Sequence, residues 1–275
     1  MTLATLAEVL QPALREGYAV AGLVCLGWED MRAYVAAAEA EGAPVILQAG
    51  PSCRAHTPLP VLAAMMRHLG EGASVPVVIH LDHGASAEEC RAAIREGFTS
   101  VMFDGSRMPL DQNIAETGAI AEMAHAAGVS CEGEIGFVGY RSGAPSQGTD
   151  PVEAARFARE TGVDAMAISV GNVHLQESHD GRIDETRLEA IATATDVPLV
   201  IHGGSGIPPA DRARLAKTSN ICKFNIGTEL RMVFGQALRE AIAAQPNTFD
   251  RIELLKRTIA PMEAATRQVI RNLRG

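Results

Sequence analysis

The 275-residue chain is poor in positive charge: 24 Lys and Arg stand against 33 Asp and Glu, a formal net charge of -9 at pH 7. Such a balance offers no basic face to nucleic acid or anionic lipid, so an anionic substrate has to be held by local charges and backbone amides. No apolar run approaches the roughly 18 residues needed to cross a bilayer. The N-terminus, where Glu8 and Arg15 interrupt the apolar residues, lacks the h-region of a signal peptide. The five cysteines (Cys25, Cys53, Cys90, Cys131 and Cys222) are odd in number, widely spaced and without a CxxC pair. Reduced, mostly buried thiols in a cytoplasmic protein are the expectation. Nor does a Gly-rich turn follow Cys25, where a doubly wound nucleotide-binding sheet would carry one.

What the chain has is apolar content, 47%, arranged in short β-branched runs roughly 20 to 35 residues apart. They are Ala19–Cys25, Pro44–Gln48, Val75–Asp82, Ser100–Asp104, Val129–Glu134, Asp164–Val170, Val197–His202 and Ile221–Ile226. Most intervals hold a stretch of helical period with a start signal. Ser86 with Glu89 reads as a capping box, and Asp150 precedes Pro151 at the first helical position, with Glu153 two further on. Strand, helix, strand repeated eight times implies parallel strands with right-handed crossovers, hence an α/β fold closed as a (β/α)8 TIM barrel in a single domain over 1–275. The segment Glu229–Gly275 holds two helical stretches, so an extra C-terminal helix is expected against the barrel or a partner subunit. Gly136–Asp150 is a polar, Gly-rich stretch after the fifth strand, which reads as a mobile lid or as a solvated loop.

The polar residues gather at the predicted carboxyl ends of strands, the face from which barrel active sites are built. Asp82 and His83 end the third strand and Asp104 the fourth; Glu132 and Glu134 lie on the fifth, His174 follows the sixth, His202 ends the seventh, and Asn225 sits on the eighth. A lone strand-end histidine is more often structural than a ligand. Three on separate strands suggest a tetrahedral metal site, with one position left open as in a catalytic zinc centre. Such an ion acts as a Lewis acid on a carbonyl. Asp82, adjacent to His83 and therefore expected on the opposite side of its strand, can exchange a proton with a substrate hydroxyl, while His80 reads as barrel filling or support. His202-Gly203-Gly204-Ser205-Gly206 before Pro208 forms a candidate backbone nest for phosphate, and Thr228, opening a helix, supplies a second set of donors.

Six segments, taken together and in order, resemble the class II, zinc-dependent ketose-bisphosphate aldolases, which include the fructose- and tagatose-bisphosphate enzymes. They are His80-Leu81-Asp82-His83-Gly84, Phe98–Ser106, Glu132-Gly133-Glu134-Ile135-Gly136, Gly171-Asn172-Val173-His174, His202–Gly206 and Lys223–Leu230. The resemblance implies zinc on His83, His174 and His202, with Asp104 and Glu134 at an outer or alternative metal position. It implies Asp82 as the residue that protonates or deprotonates the hydroxyl at the cleaved bond, Asn225 holding the enediolate, and Gly203, Ser205 and Thr228 binding phosphate. The implied reaction is reversible aldol cleavage of a ketose through a zinc-stabilised enediolate, giving a dihydroxyacetone-type fragment and an aldehyde, usually in a homodimer or homotetramer.

The sequence also departs from that pattern. Leu175 stands where a glycine follows the second zinc histidine, and Gln176-Glu177-Ser178-His179 holds no lysine for phosphate. Gly50 replaces a serine after strand two, and Val24 an asparagine in strand one; the lid offers Tyr140 and Arg141 in place of an acidic pair. The expected substrate is accordingly a small sugar that is monophosphorylated or otherwise acidic, with Arg54 or Arg141 contacting the anion. The rivals are a metal-dependent isomerase or epimerase, a hydrolase using zinc-bound hydroxide, and a non-catalytic paralogue. Three histidines with Asp82 and Asn225 weigh against the last, because a scaffold has no need of uncompensated polar groups at strand ends.

Overall fold

Each of the eight runs folds as a strand: β1 Val20–Val24, β2 Val45–Ala49, β3 Val77–Gly84, β4 Ser100–Phe103, β5 Ser130–Ile135, β6 Ala165–Ile168, β7 Leu199–Ile201 and β8 Ile221–Ile226. The computed structural model describes residues 2–141 and 143–275. Every neighbouring pair is parallel, and β8 pairs with β1, closing the barrel in chain order. The helices described are α1 Leu6–Glu16, α2 Trp28–Glu41, α3 Pro51–His56, α4 Leu59–Gly72, α5 Ala87–Arg95, α6 Leu110–Ala126, α7 Pro151–Thr161, α8 Glu185–Ala194, α9 Pro209–Thr218, α10 Thr228–Ala244 and α11 Arg251–Arg274.

Period-two alternation sorts the strand side chains. Val45, Leu47, Val77, Ile79 and Val101 face the surrounding helices, and Val20, Ile46, Val78, Met102, Ala167, Val200 and Cys222 form a separate inner cluster. The inner cluster is completed by Leu6, Val9, Leu10 and Ala13 of α1, which therefore stoppers the amino-terminal end of the barrel. No element was expected at this position, although Thr5 and Glu8 cap α1 reciprocally.

The expected helix starts need one amendment. Asp150 caps α7 through the Val152 and Glu153 amides, with Pro151 at the first position. Ser86 caps α5 through the Glu89 amide, but the box does not close: the Glu89 carboxylate accepts from the Ala85 N–H (2.8 Å) and from Arg54 (2.8 Å) instead. The extra helix α11 lies on the barrel, packed on α2, α10 and α9. Arg267 and Arg271 of α11 reach back to Glu41 at the end of α2, at 2.7 and 2.8 Å. No helix of the described residues is long and apolar enough to cross a membrane.

Candidate active site

At the carboxyl ends of the strands lies a cavity of about 490 Å³, lined by Asp82, His83, Asp104, His174, Gly203, Ser205, Asn225 and Thr228 among others. Glu134 is buried directly behind His83, with Oε2 3.7 Å from Nδ1. Of the site residues singled out from sequence, four do not line it: His202 and Glu134, which are buried behind the lining, and Arg54 and Arg141.

Strict alternation would send Asp82 and His83 to opposite sides of β3, as expected above. Instead the β3–β4 register shifts between Leu81 and Gly84, and His83 takes a left-handed φ of 50°. A bulge of this kind re-aims one side chain, so both residues reach the same cavity. Arg54 braces the bulge. Its guanidinium donates to the carbonyls of Ala49, Asp82 (2.6 Å) and His83 (3.0 Å), and its Nε to Glu89. With its donors turned into the backbone, Arg54 is a structural clamp and is not placed to meet an anion. Arg141 is exposed and tied to His174 only through its backbone N–H.

Carboxylates orient two of the three imidazoles. His83 Nδ1 lies 2.7 Å from Asp104 Oδ2, and His202 Nε2 lies 3.0 Å from Glu132 Oε1. An ionised carboxylate only accepts, so both nitrogens carry their hydrogens outward. That leaves His83 Nε2 and His202 Nδ1 facing each other at 3.0 Å. His174 completes the set, with one nitrogen from each ring within 4.8 Å of the others; His83, Asp104 and Glu134 form a second such group.

The electrostatics sort these groups. Burial, aided by His83, holds His174 down to about 4, and burial likewise keeps His202 well below the ordinary imidazole range, so both are neutral. Burial opposes charge on His83 too, but Asp82, Asp104 and Glu134 outweigh it and push its pKa up to about 10. Burial and the nearby Asp104 raise Glu134 to about 8, and its Oε2 has no hydrogen-bond partner. Burial also works against charge on Asp104, yet His83 and Ser106 bring its carboxyl below the usual range. Three imidazoles converging within a ring of carboxylates suit a divalent cation, which would take the place of the proton the carboxylates favour on His83, and so does the orphaned Glu134 oxygen.

Opposite the histidines, Asn225 Nδ2 donates to Asp82 Oδ1 at 3.3 Å, and both side chains are buried. Asn172, fully buried, joins the loops carrying His174 and His202. Its amide donates to the His202 carbonyl at 2.9 Å and the Ile168 carbonyl at 3.2 Å, and its oxygen accepts from Val170 N–H. The segment after β5 is stitched over the site: His174 N–H donates to Gly139 O at 2.8 Å, and the Tyr140 ring stacks on His174 at 5.0 Å.

The far end of the cavity is built largely from backbone. Gly203 is left-handed at φ 66°, and a Cβ there would lie 2.1 Å from Val173 O, so the nest turn needs glycine. Ser205 Oγ accepts from the Gly227 and Glu229 amides at 3.2 and 3.3 Å, linking that turn to the start of α10. Leu175 keeps a glycine-like φ of 59° while placing a half-exposed side chain on the rim. Among the described residues, the one Arg or Lys lining the cavity is Arg231, in the first turn of α10, whose buried Nε has no partner.

Sequence reasoning missed Arg231. A cation in the first helical turn opposes the helix dipole and was a usable signal. It also gave no role to Lys223 and Gln48, both fully buried in the barrel. Charge or amide inside an apolar strand run was the available clue.

A closed (β/α)8 barrel whose strand ends bring imidazoles, carboxylates and an amide into one cavity has the makeup of a barrel enzyme. The family described as Fructose-bisphosphate aldolase class-II matches residues 4–275, and the chain belongs to that family of aldolases, which are carbon–carbon lyases. It is 38% identical over 257 residues to the fructose-bisphosphate aldolase of Geobacillus stearothermophilus, covering 91% of this chain and 89% of that one. It is 37% identical over 272 residues to the 6-phospho-5-dehydro-2-deoxy-D-gluconate aldolase of Shouchella clausii (strain KSM-K16), covering 97% and 92%. The crystal structure of the YdjI aldolase from Escherichia coli K12 superposes with a TM-score of 0.84 at 28% identity, over 98% of this chain and 97% of that one.

Proposed function

We propose that this chain is a metal-dependent aldolase that reversibly cleaves a ketose carrying one phosphate or other acidic group into a dihydroxyacetone-type fragment and an aldehyde. The observation that carries the reading is the three imidazole nitrogens within 4.8 Å of one another, with two of the rings, His83 and His174, lining the same cavity as the Asp82–Asn225 pair. His83, His174 and His202 would hold zinc or another divalent ion, with Asp104 and Glu134 offering a second position. Bound there, the ion supplies a Lewis acid for the substrate carbonyl and for the negative charge that develops as the neighbouring C–C bond breaks.

The chain's own groups do the rest. Asp82 takes the proton from the hydroxyl on the carbon that leaves as aldehyde, and returns it in the synthetic direction; the enediolate left on the other fragment takes one proton at carbon, from solvent, to become the dihydroxyacetone-type product. Asn225 fixes the Asp82 carboxylate and offers an amide donor to the substrate oxygens. Backbone N–H groups around Gly203 and Thr228, with the Ser205 hydroxyl, receive the anionic end. Arg231 takes the part first considered for Arg54 or Arg141, because its guanidinium borders the cavity with an unpartnered Nε.

A single lining cation and a leucine at position 175 favour one anionic group over two. One similar enzyme bears the name of a bisphosphate substrate and the other that of a phosphorylated sugar acid. Retro-aldol turnover on a panel of ketose mono- and bisphosphates and acidic sugars, with zinc supplied, tests the reading. Cleavage of an acidic monophosphate or sugar acid above the rest is expected. Preference for fructose 1,6-bisphosphate would overturn the substrate assignment, and products that keep the carbon number would overturn cleavage itself.

A further inference from the structure

Below the histidines, the barrel interior carries a polar layer that the proposed chemistry does not use. Lys223 on β8 and Glu132 on β5 are both fully buried, with Nζ 2.6 Å from Oε2. The other carboxylate oxygen, Oε1, lies 3.0 Å from His202 Nε2. Lys223 Nζ is also 3.4 Å from Nε2 of His80, whose Nδ1 pairs with Ser100 Oγ at 2.8 Å. A chain of contacts therefore runs from Lys223 through Glu132 to the outer nitrogen of His202.

A buried ion pair is weak evidence for stability, since well-packed apolar residues of the same volume often serve as well. This one has a geometric consequence. A carboxylate whose Oε2 is anchored by an ammonium cannot rotate freely, so Oε1 stays on the His202 Nε2–H and the ring keeps Nδ1 turned to the other two histidines. Such outer contacts commonly set ring orientation and ligand basicity at metal sites.

We infer that Lys223 is a positioning residue for the metal centre: by anchoring Glu132 Oε2 it fixes Oε1 against His202 and presents His202 Nδ1 to the ion. The inference rests on the metal-site reading above. It assigns Lys223 no contact with substrate.

Three variants test it: Lys223→Met removes the anchor, Glu132→Asp keeps the charge pair but shortens the reach to His202, and Ser100→Ala breaks a buried hydrogen bond of the same layer, to His80, which among the described residues has no contact with His202 except through Lys223 and Glu132. Zinc affinity is measured by chelator competition, and ligand geometry by the visible spectrum of the cobalt-substituted protein. Zinc binding about 10- to 100-fold weaker, with an altered cobalt spectrum, is expected for the first two. Ser100→Ala should keep both wild-type readings even if its thermal midpoint drops. Wild-type affinity and spectrum in Lys223→Met and Glu132→Asp would overturn the inference, as would an equal loss in Ser100→Ala. Should Lys223→Met not fold, Glu132→Asp decides. A wild-type protein that takes up no divalent ion would instead overturn the metal reading.

Discussion

The two ends of the cavity are built by different means. At the histidine end, carboxylates orient His83 and His202, Asn172 ties two loops together, and Arg54 clamps a bulge, so that side chains hold one another in a connected set. The other end, proposed above to take the anion, is made of glycine backbone, one hydroxyl and Arg231, and Leu175 there occupies a left-handed conformation that costs a non-glycine residue about 1–2 kcal/mol. A cooperative network loses more than the sum of its parts when one member goes, whereas a rim of independent contacts can change one residue at a time. On the proposed reading, the chemistry belongs to the interlocked part of this molecule and the choice of acidic group to the adjustable part.

Breaking the network should have the largest effect. His202→Ala is expected to abolish both stoichiometric metal binding and aldol cleavage, checked by metal analysis of the purified protein beside a retro-aldol assay. Asp82→Asn should leave metal content intact and lower kcat by about 10²- to 10⁴-fold, the usual worth of a positioned acid–base group. If it instead empties the site of metal, the two ends of the network are less separable than described. Arg231→Met should act on the other end alone. Loss of one charge-assisted contact predicts a kcat/KM about 10- to 100-fold lower on acidic substrates, mainly through KM, and little change on an uncharged ketose.

Leu175→Gly should sharpen the contrast further by changing specificity with little cost in stability. Relief of the left-handed strain is offset by the roughly 0.5–1 kcal/mol of extra backbone entropy that glycine loses on folding. A rise in bisphosphate cleavage relative to monophosphate is the expected readout; an unchanged ratio would remove Leu175 from the account. The smallest effect lies outside the cavity. Arg271 and Arg267 hold the Glu41 carboxyl down to about 2, so its contribution is complete above the ordinary value of 4.5 and drains away as the pH falls toward 2. Glu41→Gln should lower the Tm by no more than about 3 °C at pH 7, and by less than half of that at pH 3.

Much of this was legible in the residues. The eight strands follow from β-branched runs at regular intervals, and the three histidines from their position at strand ends. What escaped depends on geometry that no local pattern encodes. Period two puts His83 on the wrong side of β3, and only the register shift against β4 turns it inward. Arg54 reads as a contact for the substrate's anion until the carbonyls of Asp82 and His83 are seen to converge on it. The charges of Glu132 and Lys223 announce that partners exist, but not that these two residues, on strands far apart in sequence, find each other. Arg231 belongs to a different kind of miss, since its unfavourable place in the helix dipole was visible and went unused.

The stopper at the bottom of the barrel carries a consequence for how the chain is made. The apolar stripe of α1, Leu6, Val9, Leu10 and Ala13, is synthesised ahead of every barrel strand, yet part of its shelter, Val200 and Cys222, lies on β7 and β8. At roughly 5–20 residues per second, that shelter is on the order of ten seconds or more away. This helix is therefore made before the strands that finish its seat, and the nascent chain has to carry its greasy stripe until β8 has followed.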